Sequence, residues 1–134
     1  MSYKDVFFKE VRQLFEKETA AYRRREKAES FMIEFFGDLM EELYDESESS
    51  SDRFEVEYER VRLFNRELLL KLNSTSIEVC VKDVRTNEQV LLDRIEDNGS
   101  TYWSRKHDCE LNEELLECYL KEAFAGALKD HAGS

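Results

Sequence analysis

The sequence predicts a single α+β domain: a long N-terminal helix, an antiparallel meander of four or five strands, and a C-terminal helix packed on one sheet face. Three observations lead there. Residues 2–36 place apolar side chains at helical spacing without Gly or Pro, residues 54–107 alternate apolar with polar positions, and 112–129 reads as a capped helix. At 134 residues, 41% hydrophobic and 38% charged, the chain can bury one core without disulfide or metal and should be globular with a heavily charged surface.

The helical segment, 1–45, has the clearest period. Phe7, Val11, Leu14, Ala21, Ala28, Met32, Phe35 and Leu39 follow one another at spacings of three, four or seven, interrupted by Glu18 and Arg25. Around Arg23, Arg24, Arg25, Glu26 and Lys27 the helix is polar on its whole circumference. One continuous helix of about forty residues would run about 60 Å. A bend or break near 23–30 is the other solution. A domain of this size has a radius of gyration of about 14 Å, so an unbroken helix must project and needs a partner. The second half is the more apolar. Phe31, Phe35, Phe36 and Leu39 cover more than one face, which predicts burial on the sheet with surface left for a second chain. Gly37 within it costs about 1 kcal/mol relative to Ala, which close packing would justify.

Residues 46–52 read as an acidic, Ser-rich, solvated linker; they lack the Gly and the ligand spacing of a calcium loop. In the meander, 53–107, Phe54, Val56 and Tyr58 alternate with Glu55, Glu57 and Glu59, and a phase shift to Val61 and Leu63 predicts a bulge or bend near Glu59. Leu68, Leu70 and Leu72 form a strand, Ile77, Val79 and Val81 the next, and 90–95 another. Asp97-Asn98-Gly99-Ser100 is the strongest hairpin signal, and 101–104 is a short last strand. Connections this short exclude crossover helices, so the strands must be antiparallel. Glu55, Glu57, Glu78, Lys82 and Asp93 are expected on a wet face, with the three glutamates of the first strand repelling one another. Asn112 is the N-cap of the last helix, and Leu116, Tyr119, Leu120, Ala123, Phe124 and Leu128 are its apolar stripe, with fraying past Lys129.

Charge limits the partners. The net charge is −11; residues 1–30 hold eight Lys/Arg and six Asp/Glu, whereas 31–134 hold twelve and twenty-five. That balance argues against nucleic acid and against anionic membrane surfaces. The start of the chain is amphipathic, which predicts neither a signal peptide nor a membrane span. Three cysteines in no paired spacing predict reduced thiols and a cytoplasmic location.

Chemistry-bearing residues are sparse. His107 and Cys109 form the nearest approach to a ligand cluster, but zinc needs three or four ligands and this pair gives two. A Cys–His nucleophile needs a third group to orient the base. With Trp103 they mark a candidate ligand pocket between sheet and helices. Tyr102, Trp103, Arg105 and Lys106 interleave aromatic and basic groups as single-strand binders do, yet charge on an edge strand serves the strand itself. No catalytic residue, metal or cofactor is predicted. The expectation is a non-enzymatic interaction or regulatory protein, homodimeric through Phe31, Phe35, Phe36 and Leu39, with Arg23, Arg24 and Arg25 as a basic patch for an acidic surface. Alternatives are a secretion-chaperone-like or immunity-like protein binder, a small-molecule or metal-binding domain at Trp103, His107 and Cys109, and a DNA mimic built from strand-spaced acids.

Overall fold

Seven strands follow one another in space in the order in which they occur in sequence. The computed structural model describes residues 2–132. Its elements are α1 (Tyr3–Leu14), α2 (Glu16–Glu42), α3 (Tyr44–Ser49), β1 (Phe54–Glu57), β2 (Arg60–Leu63), β3 (Arg66–Leu72), β4 (Ser76–Asp83), β5 (Gln89–Asp97), β6 (Tyr102–Ser104), β7 (Cys109–Glu110) and α4 (Glu113–Ala132). Every neighbouring strand pair is antiparallel.

The meander therefore exceeds the four or five strands expected. The phase shift at Glu59 is a complete hairpin: Glu57 pairs with Arg60 across a two-residue turn at Tyr58-Glu59. A second two-residue turn, Phe64-Asn65, joins Leu63 to Arg66, with Phe64 in the left-handed region at φ 55°. Tyr58-Glu59 contains no turn-favouring residue and does not announce itself, whereas Asn65 marks the second turn, between the strands expected at Leu63 and Leu68. Asn98-Gly99 also turns the chain, within a four-residue loop between Asp97 and Tyr102, with Gly99 at φ 94°.

The helical segment also breaks elsewhere than expected. α2 runs unbroken through 23–30, and the irregularities fall at Phe15 (φ −109°, ψ 19°) and Leu43 (φ −111°, ψ 23°). The fully polar circumference at 23–27 marks exposure to water rather than a bend. The first part of the presumed linker is helical: Asp45 and Glu46 sit in the first turn of α3, where the helix dipole favours them, and Ser47 Oγ donates to the Tyr44 carbonyl at 3.0 Å.

The core lies between one sheet face and the two long helices. Met32 and Phe36 of α2, Leu68, Leu70, Ile77, Val79 and Ile95 of the central strands, and Leu115, Leu116, Tyr119 and Phe124 of α4 form one cluster. Each such side chain contributes about 1.5–3 kcal/mol of burial. Asn112 Oδ1 caps α4 by accepting from the Leu115 N–H at 2.8 Å. α4 continues past Lys129 to Ala132; Leu115 joins its buried stripe, while Leu128 stays exposed. Arg66 Nε donates to the Ala123 carbonyl at 2.6 Å and fixes α4 against β3. Gly37 is not needed for close packing, since a Cβ there would meet only Tyr58, at 3.8 Å.

Candidate functional site

Exposed apolar surface is concentrated at the N-terminus. No residue of α1 is buried, and the first buried residue of α2 is Ala28. Residues 3–27 thus form a helical arm, rooted on the body by the bidentate pair of Arg24 with Asp97 at 2.8 and 3.0 Å. That contact, helped by the Gly99 N–H, holds the Asp97 carboxyl below its usual range. Along α1, Tyr3, Phe7, Val11 and Leu14 form one row at helical spacing, and Lys4, Phe8, Arg12 and Phe15 form the row beside it. Tyr3 and Phe7 contact each other at 6.3 Å between ring centroids, and the charges of Lys4 and Arg12 lie 5.7 and 5.8 Å from the Phe8 ring. Leu14 is 71% exposed, and Phe7, Phe8 and Phe15 are about half exposed. α1 runs on into α2 through Phe15, whose N–H donates to the Val11 carbonyl at 3.1 Å and whose carbonyl accepts from the Thr19 N–H at 2.9 Å, so the arm is held as helix while its apolar face stays uncovered.

The second feature is an apolar groove of about 520 Å³ at the other end of α2. Leu39 and Leu43 form one wall, Leu120, Phe124 and Leu128 of α4 the other, and Phe54, Val56 and Leu63 of β1 and β2 the floor. Phe64 reaches the groove because its left-handed backbone swings it toward the end of α4, where its ring stacks on His131 at 3.8 Å.

The predicted interaction residues divide between these features. Phe36 is buried in the chain's own core, with Phe35 against it edge to face at 5.3 Å. Phe31, Phe35 and Leu39 are half-buried against the same core, and Leu39 also lines the groove. Arg23 and Arg25 face solvent, whereas Arg24 is engaged by Asp97. Uncovered aromatic side chains include Tyr3, Phe7 and Phe8 of α1, which are not among the predicted interaction residues.

Trp103, His107 and Cys109 do not converge. Trp103 pairs with Glu110, and Ser104 pairs with Cys109. Strand alternation therefore puts Trp103 and Cys109 on opposite sheet faces. Burial pushes the Cys109 thiol up, against the opposing effect of Asn112, which keeps it protonated. His107 packs edge-on to Tyr119, with Nε2 3.7 Å from Glu122. Among the described residues no group of three or more His, Cys, Asp or Glu is arranged to hold a metal ion.

Asp93 corrects the expectation of a wet face at that position. Opposite β4, Val79 pairs with Asp93 and Cys80 with Leu91, so Leu92 is an extra, bulged residue. Asp93 consequently shares the inner face with Ile95 and is buried. Its carboxylate accepts from Ser104 Oγ at 2.6 Å, from the Tyr119 hydroxyl, and from the Arg94 backbone N–H at 2.7 Å. Ser104 Oγ in turn accepts from the His107 N–H at 3.1 Å. Burial and the adjoining carboxylate push the Tyr119 phenol far above its usual range. The network is satisfied within the interior and ties β5, β6 and α4 together.

On the outer face the glutamates of β1 do not stand as a repelling row. Arg60 contacts Glu55 at 3.0 Å, Glu57 at 2.7 Å and Glu67 at 3.5 Å, Arg62 contacts Glu55 at 3.1 Å, and Arg94 contacts Glu78 at 3.2 Å. Alternating charge there removes the phosphate-like row a DNA mimic would need. The acidity lies on helices instead: residues 28–52 contain nine Asp/Glu and no Lys/Arg. Among the described residues no helix is long and apolar enough to cross a membrane. No protein-family model, curated protein or solved structure matches the chain.

Proposed function

We propose that this chain is a non-enzymatic protein-interaction module that binds through its N-terminal helical arm. The observation that carries the reading is α1: twelve helical residues with an aromatic face, none of them buried. A helix with an apolar face and flanking bases is the form in which proteins present themselves to grooves on other proteins. The buried Asp93 network is spent on holding the fold. The three free cysteines, Cys80 buried, Cys109 half-buried and Cys118 exposed, suit a reducing cytoplasm. A second reading, an immunity-like or chaperone-like binder of a basic protein, is favoured by the base-free acidic run 28–52.

The test compares wild type with Phe7→Asp/Leu14→Asp by sedimentation of the purified chain and by affinity capture from lysate of the source organism, at low and high salt. The arm reading expects the complexes of the wild type to be lost in the variant. Identical complexes from both chains would refute it. A partner retained by the variant and released by salt would favour the second reading.

A further inference from the structure

We infer that the apolar groove receives α1 of a second copy of this chain, in a reciprocal exchange that closes a two-fold dimer. The inference rests on the reading of the arm as an interaction element and names its partner.

Length excludes the chain's own α1. Phe15 and Leu43 bound the continuous helix α2, and the 27 residues between them span about 40 Å, whereas the twelve residues of α1 span about 18 Å. Folded back at Phe15, α1 stops far short of the groove at Leu39 and Leu43. An occupant of this kind must come from another molecule.

Symmetry then supplies the approach. Two α2 helices laid antiparallel bring the Phe15 end of one beside the Leu43 end of the other, where the groove opens. Each α1 arrives at its partner's groove, and the two exchanges are equivalent. Charge fits the same arrangement. Residues 16–27 hold five Lys/Arg and three Asp/Glu, although Arg24 is already engaged by Asp97, while residues 28–42 hold five Asp/Glu and no base. Antiparallel pairing sets the basic half of each helix against the acidic half of the other. A parallel arrangement would set like against like.

Chemistry matches as well. The row Tyr3, Phe7, Val11 and Leu14 meets a surface built mainly of Leu, Phe and Val, which also includes Glu46, Ser50 and Arg53, in the helix-in-groove mode with anchors about a turn apart. The bases beside that row, Lys4 and Arg12, would lie near the base-free segment that includes Asp45, Glu46 and Glu48.

Two differently tagged full-length chains test this, both carrying Cys118→Ser to remove the exposed native thiol. One carries Leu14→Cys and the other Leu128→Cys; both positions are exposed, so folding should be unaffected. The chains are mixed and mildly oxidised, and the links are mapped by mass spectrometry. The exchange expects a disulfide between positions 14 and 128 joining the two tags, and a native particle of twice 16.0 kDa. Phe7→Asp/Leu14→Asp should weaken that dimer about tenfold or more, since it forces charge into an apolar groove. Links only between two position-14 thiols would show arm paired with arm and overturn the exchange while sparing the arm reading. A monomer with no inter-chain link would overturn the exchange. Dimers unaffected by the double aspartate variant would overturn the exchange, and the arm reading would fall with it only if the complexes captured from lysate also survived that variant.

Discussion

The arm and the body use the same residue types in opposite ways. In the body, Met32, Phe36, Ile77, Val79 and Tyr119 are almost wholly enclosed. In the arm, Tyr3, Phe7, Phe8, Leu14 and Phe15 are at least two-fifths exposed, on a helix of equally regular period. The body stabilises itself, and the arm can bury its apolar face only against something else. The comparison teaches that helical amphipathicity predicts burial without saying in which molecule the burial occurs.

The contrast can be broken hardest in the body. Phe36→Ala should lower the unfolding free energy by about 3–5 kcal/mol, read from urea denaturation, because it opens a cavity in a packed core. Tyr119→Phe comes next. It leaves Asp93 held by Ser104 and one backbone N–H, and should cost about 1.5–3 kcal/mol in the same assay. A loss well below 1 kcal/mol would mean that the Asp93 network contributes little to the body. Gly37→Ala should act in the other direction, gaining about 0.5–1 kcal/mol, since its Cβ makes an ordinary contact with Tyr58 and the helix loses a flexible residue. In the arm, Phe7→Asp/Leu14→Asp should change the stability of the dilute chain by less than about 0.5 kcal/mol while altering its self-association.

The root of the arm sharpens the comparison through pH. Asp97 titrates below its ordinary value because Arg24 and the Gly99 N–H stabilise the carboxylate. A depressed carboxyl contributes stability above its unfolded pKa, and this is lost as pH falls through the folded value. Wild type should therefore exceed Asp97→Asn in urea midpoint at neutral pH, with the gap narrowing below about pH 4. A constant gap across that window would assign the effect of Asp97 to its turn hydrogen bonds alone.

Much of the body was legible because its signals are local. Alternation in 68–72 and 76–81, the Asn98-Gly99 turn and the Asn112 cap each rest on neighbouring residues, and each element formed where expected. One extra strand was hidden because the Tyr58-Glu59 turn carries no turn residue, and the other because Cys109-Glu110 is only two residues long. Asp93 was misplaced because a bulge at Leu92 reverses which face the strand presents. The outer-face glutamates looked repulsive in one strand, since Arg60 and Arg62 became their neighbours only after the hidden hairpin formed. For the site, the sequence showed that the helix was too long for its own domain. Its period could not show that Phe36 would be consumed by the core while Phe7 and Leu14 were left uncovered, because that division is decided by where the sheet ends.

The most direct measurement is amide hydrogen exchange of the full chain at about 1 µM and about 100 µM, a range over which mass action populates a micromolar self-association. The account predicts that amides of Tyr3–Leu14 exchange rapidly in the dilute sample and become protected about tenfold or more in the concentrated one, while those of β4 hold their protection throughout. Arm amides that exchange at one rate at both concentrations would contradict the claim that a second copy covers the arm.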